Sequence, residues 1–289
     1  MLYLRIVINM ANCQMKKENI MHTAPCAKIN LGLNVVSRRT DGYHNLETVF
    51  YPVPIFDSLS ICEAESTRLT IVGHNIEGDT EQNLVMRAYR MLEADFGLPP
   101  VSITLDKQIP MQAGMGGGSS DGAFTLTLLN TMFAIGLSQE QLCRYAARLG
   151  ADCPFFITAK PAYAEGIGDK LTPVSLTLAN YYLAIVKPPV AVSTREAYAG
   201  ITPRTPAKNC REIVKQPVGT WRNELLNDFE ESIFSLYPEI AAIKQRLYDL
   251  GADYAIMSGS GSSVVGLFEQ APSLEGFEGC FTRVVRLSV

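Results

Sequence analysis

The stretch at 110–124, PMQAGMGGGSSDGAF, restricts what this chain can fold into more than any other part of it. It follows an alternating, β-branched run at 101–105, VSITL, and leads into an apolar helical stripe at Phe124, Leu128 and Met132. The order is therefore strand, glycine turn, helix. Glycines at 114, 116, 117 and 118 can adopt positive φ and bring the backbone close to a ligand with no Cβ in the way. At a helix N-terminus the unpaired amides and the macrodipole favour an anion, so a phosphate is the natural guest. Ser119 and Ser120 stand where a helix takes an N-cap and where a phosphate-bound magnesium would take a hydroxyl ligand. The GKS or GKT ending of a Walker A loop is missing, which argues against a P-loop NTPase.

The rest of the chain reads as elements arranged around that turn. Residues 1–20 carry only a short apolar run, with their lysines after it, too short for a membrane span and wrongly ordered for a signal peptide. They are expected to be a leader, disordered or not native, with the true start at Met15 or Met21. From Ala27 the alternation of Ile29, Leu31, Leu33 and Val35 with polar residues predicts a half-buried strand, placing Lys28 and Asn30 together on the face opposite the core. A lysine on such a face is ordinarily just solvated. Asp41-Gly42 predicts a hairpin turn that presents Tyr43 and His44 at its edge. Residues 46–72 read as strands interrupted at Pro52 and Pro54.

Asn83 is positioned as the N-cap of a helix that Gly97 stops, and Ser138 with Gln141 forms a capping box for a helix closed by Gly150. Asp152 follows that glycine, before a run, FFIT, that reads as a buried strand; by residue type alone it is a turn former. Residues 193–200 begin a helix, 202–219 form a polar surface linker, and two helical patterns follow at 221–236 and 238–250. The segment 257–264, MSGSGSSV, reads as a Gly/Ser turn between strands.

Composition excludes more than it selects. A length of 289 residues suits two domains, and 47% hydrophobic content suits a globular protein. The net charge of −4 supplies no basic field for nucleic acid or for an anionic membrane. Seven cysteines without a CxxC spacing read as reduced thiols in a cytoplasmic protein.

Four stretches, 24–50, 110–123, 149–156 and 257–264, resemble the GHMP kinases, the family of galactose, homoserine, mevalonate and phosphomevalonate kinases. The similarity spans roughly 24–268. It implies an α+β, two-domain GHMP kinase fold, with a ribosomal-protein-like N-terminal domain at 21–173 and a C-terminal α/β sandwich domain at 174–289. It further implies ATP as co-substrate with Mg2+ riding on it, Ser119 or Ser120 being the possible protein ligand. The DGYH segment is similar to the branch of the family whose acceptor is the small molecule CDP-methylerythritol, phosphorylated on its 2-hydroxyl. Monomer and homodimer both remain open.

By the same resemblance, Lys28 and Asp152 are the catalytic pair, Lys28 favouring an alkoxide-like acceptor and Asp152 accepting its proton. Pro110, Gly114, Gly116, Gly117, Gly118, Ser119 and Ser120, with Asn83 and Lys107, are expected at the nucleotide and its phosphates. Asn30, Tyr43, His44, Tyr198, Gly259, Ser260 and Gly261 are expected at the acceptor: Tyr43 stacks on the cytosine, His44 hydrogen-bonds its edge, and Tyr198 faces Tyr43 across the ring. Met115 replaces the leucine of the family pattern, and Gly122 its alanine; neither removes a reactive group. Two rivals are another GHMP kinase of the homoserine or mevalonate type, which has no use for DGYH as a base reader, and a ligand sensor of the same fold, which should lack Lys28 or Asp152.

Overall fold

The structure, a computed structural model, describes residues 20–74 and 78–288. The expected leader lies outside the described residues apart from its last position. Among the described residues three four-stranded sheets organise the fold, with strand orders β1-β4-β6-β5, β2-β3-β7-β8 and β10-β11-β9-β12. The first is built from β1 (Met21–Thr23), β4 (Ser58–Glu63), β5 (Arg68–Gly73) and β6 (Val101–Lys107). Its parallel pair, β5 and β6, is joined through α1 (Leu84–Phe96). That helix buries Val85, Ala88, Tyr89 and Leu92, starts at the Asn83 side chain and stops at Gly97 in the left-handed region, as its sequence predicts.

The second sheet is dominated by a long hairpin of β2 (Cys26–Arg38) and β3 (His44–Phe56), turning at Gly42 with φ +88°. The prolines do not break β3. β7 (Ala162–Glu165) pairs only with Thr48–Phe50, and the pair formed by Pro52 with Lys28 is one where the Lys28 N–H turns away to the Met115 carbonyl (3.0 Å). The ring therefore removes no ladder bond. β8 (Lys170–Pro173) completes this sheet.

The expected exposed face of β2 is buried. Ile29 and Leu31 pack into a core shared with Leu183, Ile185 and Ile256, while Lys28 and Asn30 on the opposite face are 3% and 2% exposed. They are covered by the glycine turn, which runs along the outer edge of β2. Past that turn come α2 (Gly117–Met132), α3 (Gln139–Leu149) with the complete Ser138/Gln141 capping box, and the short α4 (Phe155–Thr158). The FFIT run is thus a helical turn rather than a strand. Phe155 and Phe156 pack into the core beneath α1 to α3, a contact that apolar periodicity over four residues does not distinguish from a strand.

The third sheet holds β9 (Tyr182–Lys187), β10 (Tyr254–Met257), β11 (Val264–Phe268) and β12 (Phe281–Arg286), all antiparallel. Against it lie α5 (Thr194–Ala199), α7 (Phe229–Leu236) and α8 (Pro238–Asp249), while α6 (Cys210–Ile213) packs on β2 and β3. The helix expected over 221–236 is divided. A 3-10 turn at Val218–Asn223 buries Trp221, and the chain then runs extended so that Asn227 bridges Leu33 before α7 begins. We propose a domain boundary at 173/174, between β8 and β9, with the core around Ile29 and Ile185 crossing it.

Candidate active site

The glycine turn is tied down at both ends and against its neighbours. Gly114 and Gly116 have φ of +71° and +68°, and Gln112, which is not glycine, has +51°. A Cβ on Gly114 would fall 1.7 Å from the Ser258 carbonyl oxygen, and one on Gly116 would meet Phe156 and the Lys28 side chain. These glycines are therefore required by close approach as well as by backbone conformation. The serines do not cap α2. Gly116 occupies the N-cap position with no side-chain bond, and both serines fall inside the helix, so the first amides of α2 meet no side-chain acceptor. Ser119 faces the cleft, whereas Ser120 is fully buried with its hydroxyl unpartnered.

Beneath the turn lies an ion cluster. Lys107, the last residue of β6, pairs with Asp57 and, at 2.8 Å, with Asp121 of α2; all three side chains are at most 3% exposed. Asp57 also accepts from the Gln108 and Ile109 amides (2.6 and 2.8 Å). Burial pushes the Asp121 carboxyl up to about 7, against the pull of the Lys107 ammonium and with a further push from Asp57. Asp121 Oδ1 has no hydrogen-bond partner. Lys107, expected at the nucleotide, lines the cleft with its ammonium turned to these carboxylates.

At the mouth of the turn, Lys28 Nζ lies 3.3 Å from Asp152 Oδ2 and donates to Asn30 Oδ1 at 2.6 Å. The ammonium also sits 4.7 Å from the centroid of the Phe50 ring. Asn30 in turn donates through Nδ2 to Thr48 Oγ1 (3.0 Å), which fixes its amide with the oxygen toward Lys28. The exposures differ: the lysine side chain is 4% exposed and the aspartate 35%. Asp152 therefore presents a carboxylate to the cleft while a buried cation holds it. Residues separated by more than a hundred positions meet because β2 and the segment after α3 converge on the same turn.

The 257–264 segment forms the opposite wall. Ser258 Oγ donates to the Gly114 carbonyl (2.9 Å) and accepts from the Asn30 amide (3.2 Å), and Ser260 Oγ lies 3.2 Å from Thr194 Oγ1. Asn227 donates to the Met257 and Gly259 carbonyls, both at 2.8 Å, and holds the turn open.

At the far end, three aromatic rings stand in a row. His44 stacks on Tyr198 (4.9 Å, 22°), and Tyr198 meets the edge of Phe229 (4.9 Å, 78°). The ring against Tyr198 is thus His44, and Tyr43 stands at the rim, 62% exposed. Burial, with a contribution from the Asp152 charge, pushes the Tyr198 phenol up to about 12, so it is a neutral hydroxyl at physiological pH.

All of the residues expected at the site except Ser120 line one cleft of about 930 Å³. Sequence reasoning missed Asp57, Asp121, Thr48 and Phe229. Asp121 left a trace, a carboxylate inside an otherwise small and apolar helix opening; the others carry no local signal, since each acts through a partner distant in sequence. Among the described residues no group of three or more His, Cys, Asp or Glu side chains is arranged to hold a metal ion, and no helix is long and apolar enough to cross a membrane.

Comparison with known proteins places this geometry. The model of the GHMP kinases N terminal domain matches residues 83–160, from the α1 cap through the glycine turn to α4, and that of the GHMP kinases C terminal region matches 209–277. The chain belongs to the GHMP kinases. A homoserine kinase structure from Cytophaga hutchinsonii shares the fold with a TM-score of 0.65 at 14% identity, over 96% of each chain. Much nearer is the 4-diphosphocytidyl-2-C-methyl-D-erythritol kinase of Bacteroides fragilis, 53% identical over 267 residues, 90% of this chain and 97% of the relative. A crystal structure of 4-(cytidine 5'-diphospho)-2C-methyl-D-erythritol kinase superposes with a TM-score of 0.78 at 33% identity, over 93% of this chain and 100% of that one. Within the GHMP kinases, the chain therefore belongs to the 4-diphosphocytidyl-2-C-methyl-D-erythritol kinase family.

Proposed function

We propose that this chain transfers the γ-phosphoryl group of ATP to the 2-hydroxyl of 4-diphosphocytidyl-2-C-methyl-D-erythritol, a step of non-mevalonate isoprenoid synthesis. The observation that carries the reading is the Lys28–Asp152 pair, 3.3 Å apart at the mouth of a helix-opening glycine turn. Phosphates lie against the amides of the turn and the first turn of α2, where no side chain competes for the donors. The acceptor hydroxyl approaches Asp152. As its oxygen bonds to phosphorus, the bond to the bridging oxygen breaks, ADP departs with that electron pair, and the hydroxyl proton passes to the Asp152 carboxylate. Lys28, anchored by Asn30, stabilises the negative charge on the attacking oxygen.

The Ser119 hydroxyl, which faces the cleft beside the turn, suits a magnesium ion that keeps most of its ligands from triphosphate and water. Magnesium, when bound there, offsets charge between the phosphates. The aromatic row at the far end supports a base-bearing acceptor: a cytosine stacks against the His44–Tyr198 pair, with Tyr43 closing from the rim. A homoserine or mevalonate would leave that end of the cleft unused.

The test is ADP release by the purified protein with the cytidylyl acceptor, homoserine and mevalonate compared. Turnover confined to the cytidylyl acceptor is expected. Turnover on one of the others would remove the base-reading role of Tyr43, His44 and Tyr198, and nucleotide binding without turnover would make the chain a sensor.

A further inference from the structure

We propose that Asp57 is a positioning residue for nucleotide binding, a clamp that holds both ends of the glycine turn in their anion-ready form. The inference rests on reading 110–120 as the phosphate loop. Asp57 is the single residue between β3 and β4, and its side chain is fully buried. One carboxylate oxygen accepts from the Gln108 and Ile109 amides, the two residues that lead into the turn. The other pairs with Lys107 Nζ, which reaches on to Asp121 in the helix that receives the turn, at 2.8 Å. Entry is thus fastened to the Asp57 side chain directly and exit through the Lys107 it holds.

The turn needs such fastening. Gln112, Gly114 and Gly116 all hold positive φ, and a residue such as Gln112 stays there only when its surroundings over-determine it. The loop would otherwise spend phosphate affinity on being ordered. The cluster is also in contact with the loop floor: a Cβ on Gly117 would lie 3.1 Å from Lys107 Nζ and 3.0 Å from Ile109. The acceptor side touches the turn through one backbone bond, the Lys28 N–H to the Met115 carbonyl (3.0 Å), while the Lys28 ammonium and the Asn30 amide are set by Asp152 and Thr48. The Asp57 backbone N–H bonds the Pro25 carbonyl (2.9 Å), which a side-chain change leaves in place.

The test is Asp57→Ala, which removes the acceptor for both amides, measured by amide hydrogen exchange without ligand, by ADP affinity and by KM for each substrate. Exchange is expected to quicken in peptides covering 107–121 and not in those covering β9 to β11. ADP affinity should fall about tenfold or more and KM for ATP rise in step, with KM for the cytidylyl acceptor within about twofold of wild type. Unchanged exchange in 107–121, or faster exchange with ADP affinity retained, would overturn the clamp; so would an equal rise in both KM values. Should Asp57→Ala fail to fold, Asp121→Ala releases the exit alone and should lower ADP affinity about threefold; full retention there would overturn the proposal equally. Wild-type protein that binds ADP yet ignores the cytidylyl acceptor would sink the proposed substrate and leave the clamp to be judged by the ADP measurements, so the two failures are told apart.

Discussion

The two ends of the cleft are built on opposite plans. The glycine-turn end is made of backbone, fastened by a buried ion cluster and by the Ser258 contact with Gly114. The aromatic end is made of side chains carried on a hairpin edge and a six-residue helix, with Tyr43 largely in solvent. A phosphate is the same in every nucleotide, and rigid amides suffice to hold it. A base is read by ring faces, which must admit and enclose it, so a looser edge serves. Lys28 and Asp152 lie between, belonging to neither plan.

That division can be broken at chosen points. Asp152→Asn should spare both ends and remove only the proton acceptor: kcat is expected to fall by roughly 10²–10⁴-fold, with nucleotide affinity and acceptor KM little changed. A fall in nucleotide affinity of similar size would show that Asp152 belongs to the phosphate end. Tyr198→Ala removes the central ring of the row, and on the scale of about 1–3 kcal/mol per stacked base the acceptor KM should rise roughly 5- to 150-fold. KM for ATP should stay constant, and a matching rise in it would erase the contrast.

Smaller effects probe stability at the phosphate end. The Asp121 carboxyl is held near 7 in the fold against an ordinary 3.8, so the folded state binds the proton more tightly than the unfolded chain. Stability supplied by this group is present below about pH 4 and is lost as pH rises to about 7. Asp121→Asn should flatten that decline, measured as denaturation midpoint against pH; an unchanged slope would mean the cluster titrates elsewhere. The smallest change is expected from Gly122→Ala. Helix propensity favours alanine by about 1 kcal/mol, but the new Cβ would stand 3.1 Å from Leu84 Cβ and 3.3 Å from Leu149, and the two effects should nearly cancel in melting temperature.

Much of the scaffold was legible because its signals are local. The Asn83 and Ser138 caps, the Gly97 stop, the Asp41-Gly42 turn and the strand on either side of the Gly/Ser segment depend on residues within a few positions of one another. Errors arose where packing overrode a local pattern. The serines at 119 and 120 were displaced from the cap by Gly116, β3 ran through its prolines because β7 ends before them, and 155–158 coiled against the helices above it.

The sequence by itself determined that a strand would feed a glycine turn opening a helix, because φ freedom, missing Cβ atoms and apolar period are properties of adjacent residues. It determined too, through family resemblance, which side chains to look for. Only the tertiary structure decided that Lys28 would be buried and still face Asp152, that Asp57 would reach Lys107 and through it Asp121, and that His44 would lie against Tyr198. Each of these joins a charge or a ring to a partner dozens of residues away. Such pairs are settled by where sheets and helices pack, and the cost of leaving a buried charge unpaired is felt only once the chain has closed around it.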